Sequence, residues 1–372
     1  MNWISKPYIF KNIFLFSITI FVALIVIEKS FYENNKTIKR SVILREAIPS
    51  VSLDNYPSDL YMKTVDKDSL EQKKYRFSTN TDGFIIGPGE ISTSTQDIDL
   101  LFLGGSTTEL MFVDESKRFP YLVSQILKKK SGEVHSLNGG NSGNNSMHSV
   151  VNLIAKGLNK RPNFVLMMHN VNDLSGLLRT NSYWNTAKGR AIVQSTHVKN
   201  SFYEFIKNVK SLAFPNVYSH FVQVFGSPNL FSTDEWSGVE VVNIDTEKVS
   251  RSFRKSLKTF ISVCRSWGCN PVLMTQPNRL NSSDTLVEST YNFSTLSLLF
   301  SYHEYVSMHE KFNYIIRDVG TEEGILVIDL DQHLSGKKEF IYDAVHLNTE
   351  GSVEAAKIIS SQLVKSFPKL FY

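Results

Sequence analysis

Two short motifs, far apart in the chain, contain the three side-chain types of a serine hydrolase. Ser106 follows two glycines directly after an apolar run, and Asp343 stands three residues before His346 near the C-terminus. A serine hydroxyl becomes an effective nucleophile when an imidazole removes its proton and a carboxylate orients that imidazole. No Gly-x-Ser-x-Gly elbow occurs, and the close Asp-x-x-His spacing differs from that of the chymotrypsin, subtilisin and α/β-hydrolase triads. The residues between the two motifs must therefore show whether they meet.

The hydrophobic pattern around these motifs predicts an alternation of strands and helices. Nearly all-apolar runs predict strands at 98–103, 134–137, 164–168, 271–275 and 325–328. Helical periodicity lies between or after them, at 121–130, 147–158, 250–266, about 295–318 and 350–366. Such alternation predicts an α/β fold, a three-layer doubly wound sandwich with a five-stranded parallel sheet.

Polar and glycine-rich turns follow the first three predicted strands. Ser106 would begin a short helix, where its backbone N–H and the helix dipole face a developing oxyanion. A turn rich in glycine and asparagine, 138–144, follows the second strand, and 169–173 follows the third. Because the carboxyl ends of parallel strands form one edge, a serine amide, a glycine amide and an asparagine side chain could form a three-donor oxyanion hole there.

Four sequence blocks, in order, resemble those of the SGNH hydrolases, the GDSL esterase and lipase superfamily. They are 98–108, 142–144, 171–173 and 343–347. The resemblance implies that Ser106 is the nucleophile, His346 its base and Asp343 the partner of that base. It also implies that the oxyanion donors are the backbone N–H groups of Ser106 and Gly143 and the side-chain amide of Asn172. No cofactor or metal is expected for this chemistry.

Two positions depart from the family pattern. Gly105 stands where many members carry aspartate, a change expected to leave the nucleophile intact. Asn170 stands where the third block usually has glycine, and asparagine tolerates left-handed backbone better than most residues. The turn is therefore expected to survive. If it does not, Asn172 would be misplaced, and the chain would be a catalytically weak glycan-binding or assembly partner.

The N-terminal segment predicts a membrane anchor. Residues 13–27 are free of charge, Lys6 and Lys11 precede them, and no small-x-small cleavage site follows. We therefore expect an uncleaved transmembrane helix within 1–29, a tether over 30–74 and an extracytoplasmic hydrolase domain over 75–372. A cleaved signal peptide is the alternative.

The predicted hydrolase domain contains an insertion at about 175–249 that breaks the strand and helix alternation. It is aromatic and polar, and either shapes a substrate entrance or packs as a helical cap. Cys264 and Cys269 flank a Trp-Gly turn and are either buried thiols or a disulfide. His148 is expected on a solvated helix face and His169 in a structural position.

The charge composition argues against a nucleic-acid-binding function. The net charge is only +4 over 372 residues, with scattered Lys and Arg, so no nucleic-acid partner is expected. Together, the triad motifs, the resemblance to the SGNH hydrolases and the apolar N-terminal run predict a membrane-tethered, extracytoplasmic serine esterase that hydrolyses, or transfers, O-acyl esters. By analogy with membrane-tethered members of the superfamily, an O-acetylated cell-surface polysaccharide is the favoured substrate. A lipid ester or lysophospholipid is the alternative.

Overall fold

Two sheets form in the part of the chain that the computed structural model describes, residues 14–26, 44–89, 99–131, 133–185, 187, 190–192, 244–280, 284–292 and 294–371. The strands are β1 (Ser52–Asn55), β2 (Tyr75–Ser78), β3 (Leu100–Gly104), β4 (Ser136–Gly140), β5 (Phe164–Met168), β6 (Asn270–Met274) and β7 (Val327–Ile328). Strands β1 and β2 pair antiparallel, and the other five form a parallel sheet in the order β4-β3-β5-β6-β7. The predicted five-stranded parallel sheet is confirmed. Because the strand order reverses at β3, the loops after β3 and β5 meet at the switch point where doubly wound sheets bind ligands.

Helices cover both faces of the parallel sheet, as the sandwich prediction requires. They are α1 (Ser106–Glu109), α2 (Phe119–Ser131), α3 (Ser146–Asn152), α4 (Val171–Thr180), α5 (Thr246–Ser266), α6 (Thr285–Asn292), α7 (Tyr302–Glu323), α8 (Leu330–Leu334), α9 (Thr349–Ser366) and α10 (Pro368–Phe371). The helix predicted over 147–158 is α3 followed by a π-helical turn, Leu153–Gly157.

Alternate side chains of β3 pack on opposite faces of the sheet. Leu101 and Leu103 join a core cluster with α3, α5 and α7, whereas Leu100 and Phe102 join a second cluster with α2 and α9. Every residue of β3 and of β5 is buried. This two-sided burial explains why both strands were recognisable as continuous apolar runs.

The described part of the predicted tether folds with the α/β domain, so the tether prediction is wrong for residues 44–74. The chain divides into two compact units, and the described residues from 44 to 192 and from 244 to 371 belong to the same unit. Within that unit, β1 pairs with β2, and Met62, Val65 and Leu70 are buried in a cluster with Tyr342. A backbone hydrogen bond from Asp66 N to Tyr342 O, 2.7 Å long, joins this segment to the loop that carries Asp343 and His346.

Replacing Met62 by alanine should show that the 44–74 segment contributes to the stability of the domain. Met62 is 6% exposed, and truncating a buried methionine leaves a cavity. We expect a loss of about 2–4 kcal/mol in the free energy of unfolding. Leu60, which is 74% exposed, is the matched control, and Leu60→Ala should leave the urea midpoint unchanged. Equal midpoints for the two variants would show that the segment adds no stability.

The described residues of the predicted anchor, 14–26, are helical and expose several large apolar side chains. Among the residues described, no helix meets the length and hydropathy needed to cross a membrane.

Most of the predicted 175–249 insertion lies outside the described residues. Cys264 and Cys269 are buried free thiols.

Candidate active site

The structure brings Ser106, His346 and Asp343 together at the carboxyl edge of the parallel sheet. Ser106 is the first residue of α1, directly after β3, and the other two lie in the loop before α9. Ser106 Oγ is 2.7 Å from His346 Nε2, and His346 Nδ1 is 2.6 Å from Asp343 Oδ2. Both distances are those of hydrogen bonds, and the order is that of a nucleophile, its base and the group that orients the base. All three residues are partly exposed in the part of the chain that the structure describes.

The Asp-x-x-His spacing builds its own turn. Asp343 Oδ1 accepts hydrogen bonds from the backbone N–H groups of Val345, at 2.9 Å, and His346, at 2.8 Å. One carboxylate oxygen therefore folds the loop, while the other binds the imidazole. The ring of Tyr342 stacks on that of His346 with centroids 5.7 Å apart and planes 10° from parallel. These contacts fix the position of the imidazole before any substrate binds.

The charges of the pair are suited to proton transfer. Burial by itself raises the pKa of Asp343, but the charge and hydrogen bonds of His346 and the amide of Val345 outweigh it, and the pKa is lowered. Burial likewise opposes ionisation of His346, but the charge and hydrogen bond of Asp343, with a further contribution from Glu109, raise the pKa of His346. Because Asp343 is an ionised acceptor, Nδ1 must carry the proton and Nε2 is free to accept the Ser106 proton.

Asn172 lies beside the nucleophile at the start of α4. Its Nδ2 donates a hydrogen bond to Asn144 O at 2.9 Å, and one amide hydrogen remains for an oxyanion. A Cβ atom on Gly105 would approach Asn172 Nδ2 more closely than 3.0 Å, a distance that real Cβ atoms do not show. The glycine before the nucleophile therefore gives the amide of Asn172 the space it occupies.

Gly143 has φ of +77°, a left-handed conformation that glycine adopts without strain. Two arginines that sequence reasoning did not single out surround it. Arg190 Nη1 donates to Gly143 O, and Arg45 Nη2 donates to Ser142 O at 2.9 Å. Arg190 belongs to the predicted insertion, so the described part of that insertion reaches the turn that carries Gly143. Neither arginine had a recognisable motif, since both contacts join residues distant in sequence.

Asn170 keeps the turn intact by a different route from the one expected. Its backbone has φ of −164° and ψ of −73°, so no left-handed conformation is required. Its side-chain amide donates to His309 O at 2.9 Å and to Asn313 Oδ1 at 3.0 Å. Asn170 therefore ties the turn to α7 and supports the position of Asn172 instead of disturbing it.

A second Ser-His-Asp arrangement lies inside the domain and is closed to substrate. Ser149 Oγ is 2.7 Å from His169 Nε2, and His169 Nδ1 is 3.6 Å from Asp173 Oδ2. All three are buried, and burial lowers the pKa of His169 to about 3, as suits a structural, neutral histidine.

The expectation that His148 lies on a solvated helix face is wrong, because His148 is buried and its ring accepts a hydrogen bond from Asn145 N at the start of α3. Among the described residues, no cluster of His, Cys, Asp and Glu could hold a metal ion.

Substituting Gly105 by alanine should lower kcat because the added methyl group displaces the amide of Asn172. The expected loss is roughly 10- to 100-fold, somewhat less than the loss of a complete oxyanion donor. In the double variant Gly105→Ala/Asn172→Ala, the alanine should cost much less than it does alone, since the displaced amide is already gone and only the milder contact with Asn144 O, at 3.1 Å, remains. Steady-state ester hydrolysis by the three variants tests this, and fully additive losses would contradict it.

No family model matches the sequence, and a search of curated proteins finds no match. Solved structures do match, each at low identity. A lipase/acylhydrolase from Enterococcus faecalis has 16% identity and a TM-score of 0.41, over 72% of this chain and 97% of that one. A catalytic mutant of an acetylxylan esterase from Geobacillus stearothermophilus has 13% identity and a TM-score of 0.40, over 73% and 95%. A GDSL-like lipase from Bacteroides thetaiotaomicron has 10% identity and a TM-score of 0.38, over 73% and 88%.

The chain is similar to structures of GDSL-type lipases and acetylxylan esterases.

Proposed function

We propose that this protein is a serine esterase of the SGNH type. The observation that carries the proposal is the continuous hydrogen-bonded path from Ser106 Oγ through His346 to Asp343. Ser106 attacks the ester carbonyl while His346 Nε2 accepts its proton, and the tetrahedral oxyanion forms. His346 then protonates the leaving alcohol, and an acyl-Ser106 ester remains. Water, activated by His346, attacks this ester and releases the acid with regeneration of Ser106.

The oxyanion is proposed to bind the backbone N–H groups of Ser106 and Gly143 and the Nδ2 group of Asn172. Donors fixed in advance stabilise the charge that develops only in the transition state, so they raise kcat. The conformation of the turn after β5, residues 169–173, supports an active enzyme over an inactive binding partner. Asn170 is hydrogen-bonded to α7 without left-handed backbone, and Asn172 stands next to Gly105.

For the substrate, we propose an O-acetylated cell-surface polysaccharide, from which the acetyl group is removed or transferred. Support comes from the surroundings of Gly143, where Arg45 and Arg190 bring two guanidinium groups to the edge of the site. Such polar surroundings suit a hydroxyl-rich glycan better than a hydrocarbon chain. A lipid ester is the competing substrate class, and hydrolysis of long acyl chains would favour it.

We further propose that residues 1–29 anchor the enzyme in a membrane with its α/β domain outside the cytoplasm. Support comes from the uncharged run 13–27 and from the exposed apolar side chains of the helical residues 14–26, such as Phe14 and Phe16. Protease treatment of intact and of permeabilised cells that produce the full chain tests this arrangement. Digestion only after permeabilisation of the cytoplasmic membrane would contradict the proposed orientation.

The substrate proposal is tested with the full chain in detergent and with p-nitrophenyl acetate, butyrate and octanoate beside an O-acetylated polysaccharide. We expect kcat/KM to be highest for acetyl groups and to fall as the acyl chain lengthens. An increase with chain length would overturn the glycan proposal in favour of lipid esters. Adding a soluble sugar acceptor separates the two reactions, because transfer reduces the free acetate formed per ester cleaved, whereas hydrolysis does not.

A further inference from the structure

Glu109 is a buried carboxylate close to the triad that the mechanism above does not use. It ends the helix α1 that begins with Ser106, and it is only 3% exposed. The hydroxyl of Ser142, in the turn after β4, donates a hydrogen bond to Glu109 Oε2. Nearby, Asn138 Nδ2 donates to Thr108 O at 2.8 Å. Strand β4 and the turn after it therefore each donate a side-chain hydrogen bond to helix α1.

Ser142 immediately precedes Gly143, whose N–H is a proposed oxyanion donor. The N–H of Gly143 and the C=O of Ser142 belong to one planar trans peptide group and point in opposite directions. The carbonyl oxygen of Ser142 accepts a hydrogen bond from Arg45 Nη2 at 2.9 Å, while the side-chain hydroxyl of Ser142 donates to Glu109. Two contacts on one residue thus fix the plane of the Ser142–Gly143 peptide group and the direction of its N–H.

The groups that face Glu109 are one neutral hydroxyl and two cationic side chains, and they come from three parts of the domain. Ser142 lies in the turn after β4, Arg118 directly before α2, and His346 in the loop before α9. Burial raises the pKa of Glu109 to about 7, and hydrogen bonds from Ser142 with the charges of Arg118 and His346 limit that rise. In its ionised form Glu109 in turn raises the pKa of His346.

We infer that Glu109 is a positioning residue that acts through Ser142 to hold the Gly143 N–H in place for the oxyanion. The inference rests on the proposed esterase function. Glu109 touches neither the substrate nor the reacting atoms in this account. When ionised, its carboxylate is the acceptor that holds Ser142, and its negative charge then also favours the imidazolium that forms on His346 during attack.

The inference is tested by ester hydrolysis across the acid and neutral pH range with three variants. Ser142→Ala removes the donor and should lower kcat roughly 10- to 100-fold with little change in KM, because the oxyanion contact is made in the transition state. Ser142→Thr keeps a hydroxyl and should therefore retain most of the wild-type kcat. Glu109→Gln should lower kcat and move the acid limb of kcat/KM to lower pH, because the charge that raises the pKa of His346 is gone.

Thermal unfolding of each variant shows whether it is folded, and Ser142, which is only partly buried, is the position least disturbed by substitution. Wild-type kcat in folded Ser142→Ala, together with an unshifted pH profile in Glu109→Gln, would overturn the inference. If the wild type reacts with a fluorophosphonate at Ser106 and hydrolyses esters while both variants match it, only the inference fails. A folded wild type that does neither would overturn the inference and the proposed function together.

Discussion

His346→Ala is expected to lower kcat by roughly 10⁴- to 10⁶-fold, because it removes the base that contacts the Ser106 hydroxyl. His346 Nε2 lies 2.7 Å from Ser106 Oγ, at hydrogen-bond distance from the serine hydroxyl. The residual rate should no longer depend on pH in the range where histidine titrates. Stopped assays of ester hydrolysis at several pH values measure both effects.

His333→Ala is the matched control for this substitution. His333 is an exposed residue of α8, and its removal should leave kcat and its pH dependence unchanged. Urea unfolding of the two variants should show that both remain folded, since His346 itself is partly exposed. Full activity in a folded His346→Ala protein would show that the triad assignment is wrong.

Asp343→Asn is expected to lower kcat by roughly 10³- to 10⁴-fold while the backbone of the loop is retained. An asparagine can still accept hydrogen bonds through one oxygen, but it no longer carries the charge that raises the pKa of His346. A base must be neutral to accept a proton. The value of kcat/KM should therefore rise with pH as the imidazolium of His346 loses its proton. In the wild type this rise should occur above the usual histidine pKa of about 6.5, and in Asp343→Asn it should move to lower pH.

The pH profile separates an orienting and electrostatic role of Asp343 from a purely structural one. A structural defect would lower the rate at every pH without moving the acid limb. Asp68→Asn, which neutralises an exposed aspartate, is the control and should change neither kcat nor the limb. An acid limb that stays in place in Asp343→Asn would contradict the proposed coupling between the two side chains.

The parallel sheet could be predicted because its strands are covered on both faces. β5 was predicted with the bounds that it has, and β3 and β6 are displaced by one or two residues, since two-sided burial gives uninterrupted apolar runs. The triad residues were recognised from local motifs, each of which follows or precedes a predicted element. The turn that joins Asp343 to His346 is also local, because it depends on backbone groups within three residues.

The packing of residues 44–74 on the α/β domain could not be predicted in this way. The buried residues Met62 and Val65 of this segment lie in a cluster that includes Phe112 and Tyr342, which are distant in sequence, so no local pattern marks them as buried. The same limit applies to the site. Arg45 and Glu109 contact Ser142 from other parts of the chain, and the turn at Asn170 is held by side-chain hydrogen bonds to α7 and not by the left-handed backbone that the sequence suggested.

Reaction of the full-length protein with a fluorophosphonate probe tests most directly whether Ser106 is an activated nucleophile. The account predicts one covalent adduct, located by peptide mass spectrometry on Ser106, together with loss of ester hydrolysis in proportion to labelling. Ser106→Ala should give no adduct, and His346→Ala should react far more slowly. A folded wild type that remains unlabelled at Ser106, or that keeps its activity after labelling there, would contradict the account.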